Sequence, residues 1–461
     1  MKSMWFKKTV RMISVLVIAA LLFAVAGCGA KEAAEQENAG AAGSDAPKAA
    51  GDKAVTLKMI TWVQETNEKA IKDLNDAFTK KYPNVEIVVD TVAPNDYPTL
   101  QNTRISAGDV DLLTSLSAFD TLPQDFTKGC DKPAWQTFVE SGAYLDITDQ
   151  PFLKNWDPNM LKNASSYNGK VFGIDMGAVG YNGLFYNKKL FDENGLKEPG
   201  TWDEFVKICE TFKAKNIAPI TLGMKDGWPL DAIGVSGLVG ANEEDLTAFA
   251  KGLWTGTRKL TDDQTMKIWN RADQFVSYLE KNVQSVTYGD APGRFVAGKA
   301  AMLYDGTWNN GTITALDKDF QFGYFALPGD KDGKPNQLQG KYDMQFHVYS
   351  KTANKDTCLK WLEFLSQKEN YTEFVSTIGF FPTMPGVVSK NTFINSLADK
   401  NTGFKASWEK VLVAPKAVGQ YAKGQGFVLS QLKAVGGTVP DVKALADLAQ
   451  KDWDAGLKAA Q

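Results

Sequence analysis

From Val55 onward the apolar positions alternate between two periods. The run "AVTLKMITW" is apolar and β-branched and reads as a strand. Behind it Ile71, Leu74 and Phe78 fall at helical spacing, with Glu68 in the first turn, Lys80 and Lys81 in the last, and Pro83 as the stop. "NVEIVVDTV" then reads as a second strand, so the stretch predicts a β-α-β unit. Such a unit places the loop "TWVQETN" at the carboxyl edge of a parallel sheet, where open α/β folds bind ligands. The alternation continues through a helical "YPTLQNTRISAGD" and a strand in "DVDLLTS". Short strands broken by glycines follow in "KVFGIDMGAVGYNGLFYNKKLFDENG", and a helix capped by Thr201 leads to a strand in "TWDEFVKICETFKAKNIAPITLG". Strands are again expected in "QFGYFALPGDKDGKP" and "QFHVYSK". "DTCLKWLEFLSQKENYTEFV" predicts one helix with Trp361, Leu362, Phe364 and Leu365 on its apolar side, and the rest of the chain is expected to be largely helical. No internal repeat of fixed period is present, and the fold class predicted is α/β.

The amino terminus carries a different pattern. Lys2, Lys7, Lys8 and Arg11 precede the uncharged run from Ile13 to Ala26, the signature of a signal peptide, too short for the roughly 20 residues of a spanning helix. The run stops at "VAGCGA", which resembles the bacterial lipobox and implies cleavage before Cys28, with a lipid on its thiol as the anchor. Losing residues 1–27 removes those four positive charges and moves the net charge from −3 to −7, which argues against a nucleic-acid partner. Residues 29–53 lack aromatic and large aliphatic side chains and are expected to act as a tether. Besides Cys28 the chain holds Cys130, Cys209 and Cys358, too few for a disulfide scaffold and in no metal-binding spacing.

Several segments, in order, resemble the extracytoplasmic solute-binding proteins of ABC importers, in the carbohydrate-binding cluster. They are the opening "ITW" strand with a helix ending "FTKKYPNVEI", then "LFYNKKLFDENGL", "PGTWDEFVKICETFK", "FVAGKAAMLYDGTWNNG" and "IGFFPTMPGV". The resemblance implies a type II periplasmic-binding-protein fold, two α/β lobes joined by crossing hinge strands with the ligand in the cleft between them. The expected segments are 54–178 and 325–378 for the first lobe and 179–324 and 379–461 for the second. The implied protein is a lipid-anchored monomer on the outer face of the cell membrane, which hands a carbohydrate, an oligosaccharide by its aromatic content, to a membrane permease.

A sugar presents hydroxyls at its rim and C–H bonds on its faces, so its cleft calls for flat aromatics beside amides and carboxylates. By the resemblance Trp308 stacks on a sugar ring, with Asp305 and Asn309 as hydroxyl partners. Trp62, Gln64, Glu65 and Asn67, with Asp111 and Ser115 of the third strand, are the opposite lobe's candidates. Lys225, Asp226 and Trp228 in "GMKDGWPLDA" form a further loop cluster. Tyr181 and Asn182 are expected at the first hinge crossing, Tyr342 and Asp343 near the second, Phe380 and Phe381 near the third.

Other chemistries fit less well. "GRFVAGKA" nearly spells a phosphate-binding loop, but Ala300 stands where a hydroxyl is needed. "PGDKDGKP" lacks the distal ligands of a calcium loop. His347 is the chain's one histidine, which excludes a multi-histidine zinc site, and "GVSGL" around Ser236 is not a nucleophile elbow. No cofactor or metal is expected. The alternative reading is an anchored glycoside hydrolase, whose two carboxylates carry no sequence signature.

Overall fold

In the computed structural model the described residues are 53–116, 118–119, 124–330, 337–400 and 405–460. Cys28, its signal peptide and nearly all of the tether lie outside them.

The opening strand, helix and strand form as predicted. β1 (Val55–Trp62) lies parallel to β2 (Val85–Val92), joined by α1 (Glu65–Lys81), whose buried face carries Ile71, Leu74 and Phe78. α2 (Tyr97–Ala107) leads to β3 (Leu112–Ser115), parallel to β1 on its other side. A two-stranded ribbon, β4 (Ser166–Tyr167) and β5 (Lys170–Val171), precedes β6 (Ile174–Gly180). The chain then passes through Tyr181 and Asn182 into a second sheet built from β7 (Gly183–Asn187), β8 (Ala218–Thr221), β9 (Ala300–Tyr304) and β10 (Phe322–Ala326), in the order β10-β7-β9-β8. It returns as β11 (Gln339–Val348), antiparallel to both β3 and β6, and adds β12 (Lys405–Ala406). The first sheet is thus β12-β11-β3-β1-β2 with β6 along β11.

Two expectations are corrected. The single helix expected from Asp356 is two, Lys355–Leu365 and Lys368–Ile378. Ser366 breaks it: its hydroxyl donates to Leu362 O (2.7 Å) and accepts from Trp156 Nε1 (3.0 Å), while Asn155 Nδ2 takes its carbonyl. The carboxyl-terminal region is helical over its last turns, Val442–Ala460, whereas the stretch before it holds only short turns between Trp408 and Val435. Thr201 does cap its helix, in a capping box with Glu204.

Candidate functional site

A cavity of about 280 Å³, at the small end for ligand pockets, opens between the two sheets. It sits where parallel strands end. Trp62 ends β1 with Val63 and Gln64 after it, Pro94 and Asn95 follow β2, and Leu116 follows β3. From the second sheet Trp308 follows β9, and Trp228 leads a π-helical turn (Pro229–Gly234) after β8. Tyr181 stands at the passage between the sheets.

Aromatic faces dominate the walls. Trp62 meets Tyr97 edge-on at 5.6 Å between centroids, and Asn67 Nδ2 bonds Trp62 O (2.9 Å) and Thr61 Oγ1 (3.1 Å), tying the strand end to the helix start. Trp308 lies tilted against Tyr181 at 5.5 Å and donates its indole N–H to the Tyr288 hydroxyl (2.6 Å). Tyr288 also packs on Trp228 at 4.6 Å. Two glycines let these rings close in. A Cβ on Gly306 would stand 1.9 Å from Trp308 Cζ3, and one on Gly223 would stand 2.5 Å from Tyr288 Cα.

Charge enters on one wall and balances there. Lys341 and Asp343 alternate to the same side of β11, each 8% exposed, with Nζ to Oδ1 at 3.4 Å. The Lys341 ammonium reaches Leu116 O (3.3 Å) and stands 5.1 Å from the centre of the Tyr181 ring. Glu409 lies beside them with Lys410 3.6 Å away. Burial works to raise the Glu409 carboxyl, but Lys410 and Lys341 hold it below the usual range, whereas burial keeps Asp343 above it. Gln64 Nε2 and Glu409 Oε2, on residues that line the cavity, are buried without a hydrogen-bond partner among the described residues. No group of metal-ligating side chains occurs among the described residues.

Of the residues singled out in the sequence, the structure brings Trp62, Gln64, Tyr181, Trp228, Trp308 and Asp343 to this cavity. Asn67, Asp226, Asp305 and Asn309 stand behind it. Asp226 accepts the Tyr288 N–H (2.6 Å), and Asn309 Nδ2 bonds the Tyr288 hydroxyl (2.9 Å) and Asp305. The others serve elsewhere. Glu65 is exposed on α1 and faces a separate groove, and Lys225 is exposed. Asp111 accepts from Lys58 N (2.7 Å) and Thr352, Ser115 bonds His347 Nε2 (2.8 Å), and Asn182 takes Gln339 N (2.9 Å). Tyr342 alternates away from Lys341 and Asp343 and packs into the core, as does Phe380, while Phe381 pairs its backbone with Ala178. Sequence reasoning missed Lys341, Tyr288 and Glu409. The first was legible, because Asp343 two positions along a strand shares its face, but nothing in the sequence marks the other two.

Similarity to known proteins bears on both the family and the fold. A family model described as bacterial extracellular solute-binding protein matches residues 62–372. The multiple sugar-binding protein of Streptococcus mutans is 28% identical over 353 residues, 75% of this chain and 78% of that one. Among solved structures, a sugar transporter of Bacillus licheniformis in complex with stachyose has a TM-score of 0.63 at 17% identity, covering 87% of this chain and 100% of that one. Maltose-bound MalE3 of T. maritima has a TM-score of 0.63 at 16% identity, with 87% and 100% covered. The fold is therefore type II, with two α/β lobes and a ligand cleft between them, and the chain belongs to the bacterial extracellular solute-binding protein family.

Proposed function

We propose that this chain captures a neutral oligosaccharide in the cavity and delivers it to the membrane permease of an ABC importer. The observation that carries the reading is the combination of Trp62, Trp228 and Trp308 around a wall where Lys341 meets Asp343 and Glu409, with Lys410 beside Glu409 just outside the lining bringing the local charge to zero. Flat rings suit the C–H faces of a sugar, and the open valences of Gln64 and Glu409 suit its hydroxyls. A charged ligand would meet no net opposite charge. Stachyose and maltose in the structural relatives and the sugar-binding name of the streptococcal one support the same class. The lobes are taken to divide as the sheets do, so that a ligand touching both favours their closure. Lipidation of Cys28 would keep the receptor at the membrane surface as a monomer.

The test is a tryptophan-fluorescence titration of residues 54–461 against monosaccharides and oligosaccharides, with chromatography of the recovered sugar. Saturable quenching with intact sugar is expected. Cleaved sugar would overturn the receptor reading in favour of hydrolysis, and no response to any sugar would overturn the carbohydrate assignment.

A further inference from the structure

Asp305 follows β9 directly, is 1% exposed and does not line the cavity. Its carboxylate accepts from Gly306 N–H (2.8 Å) and from Asn309 Nδ2, which also bonds the Tyr288 hydroxyl (2.9 Å) and so brings phenol and carboxylate side by side. The Tyr288 hydroxyl in turn meets two groups that can only donate to it, Trp308 Nε1–H (2.6 Å) and Asn309 Nδ2 (2.9 Å). Both of its lone pairs are used, which leaves its own hydrogen for the neighbouring acceptor, the Asp305 carboxylate whose charge it helps to hold. The chain of donors runs one way, from the cavity indole through the phenol to the carboxylate.

We propose that Asp305 and Tyr288 are positioning residues for Trp308: the ionised carboxylate orients the phenol so that it holds the indole N–H, and neutralising that carboxylate releases the ring and weakens ligand binding. A neutral carboxyl would present an O–H where every neighbour is a donor. Only the Tyr288 hydroxyl could turn to accept it, and doing so takes a lone pair from Trp308 or Asn309. Asn309 is held by two partners at 3% exposure, whereas Trp308 borders the cavity and has room to leave.

The switch falls in an accessible range, since burial raises the Asp305 carboxyl to about 7 against the pull of its three donors. The titratable groups that face it are the phenols of Tyr288, Tyr181 and Tyr324, all raised by burial and neutral throughout; the Tyr324 hydroxyl donates to Asp305 O (2.9 Å). Asp226 acts on the Tyr288 backbone, and Asp343 and Glu409, with Lys341 and Lys410, stand across the cavity. Asp343 is therefore the rival source of any pH dependence.

The inference rests on the sugar reading only for its effect on affinity, so its test begins without ligand. The indole 1H–15N resonance of Trp308, assigned by its loss in Trp308→Phe, is followed from pH 5.5 to 8.5. In wild type and in Asp343→Asn it should titrate near neutrality, and in Asp305→Asn and Tyr288→Phe it should stay at the position of a released indole. Titration with maltose and stachyose should then show affinity falling as pH drops through about 7. The fall should be roughly three- to tenfold, the worth of one hydrogen bond, with both network variants weak and pH-flat. A Trp308 resonance that does not titrate, or that titrates unchanged in Tyr288→Phe or in a folded Asp305→Asn, overturns the inference. A wild type that binds neither sugar at any pH counts against the sugar reading, and the resonance still decides the positioning role.

Discussion

Gly306 is one of two glycines against the site's rings and is hard to replace, because Trp308 folds back over it. Gly306→Ala places a methyl 1.9 Å from Trp308 Cζ3, so the ring must shift. Thermal melting should show a loss of about 1–3 kcal/mol, and calorimetry a weaker ligand. Trp308→Ala removes the ring itself and should weaken sugar binding by about 1–3 kcal/mol with the fold intact; wild-type affinity would remove Trp308 from the site. Lys341 presents the opposite hazard. With its side chain 10% exposed and its ammonium set between Asp343, Glu409 and Leu116 O, Lys341→Ala would leave buried carboxylates short of their counter-charge. A loss of about 3 kcal/mol or more at neutral pH is expected in denaturant unfolding.

Strand β11 gathers these effects, because one of its faces serves the cavity and another part closes the core. His347, fully buried, stacks on Tyr144 at 4.1 Å and on Phe119 at 5.5 Å. A carbonyl only accepts, so Nδ1–H donates to Phe172 O (2.8 Å) and Nε2 takes the Ser115 hydroxyl (2.8 Å). Burial lowers its pKa from 6.5 to about 4. The unfolded chain therefore binds the extra proton between those values, and stability falls as pH drops from about 6.5 to 4, by about 3 kcal/mol for this group. His347→Gln should flatten that limb of the pH–stability curve. The opening β-α-β unit was readable in the sequence, since period and caps act locally. What was not readable depended on distant partners. The break at Ser366 needs Asn155 and Trp156, some 210 residues away, and Tyr288 reaches the cavity only because Asp226 and Gly223 seat it. Asp305 and Asn309 were legible as neighbours of Trp308, but the direction they face is decided by Tyr288.

At the scale of the whole molecule, a ligand held between the lobes binds the folded chain alone. Free sugar at about 100 times its dissociation constant should raise stability by about 2.7 kcal/mol, read as an upward shift in melting temperature that grows with sugar concentration. A sugar that binds without that shift would contradict a cleft site. The order of strands has a consequence of another kind. The second sheet, from Gly183 to Ala326, is threaded between β6 and β11, and β11 must pair with β3, whose register joins Phe346 to Thr114. During synthesis the first sheet therefore waits, with β1, β2 and β3 made but the strand that flanks β3, β11, still unmade, while the interposed sheet is completed. Such non-local pairing slows the final step and leaves a long interval in which the chain is still pliable, the condition under which a polypeptide can be threaded through a membrane before it locks.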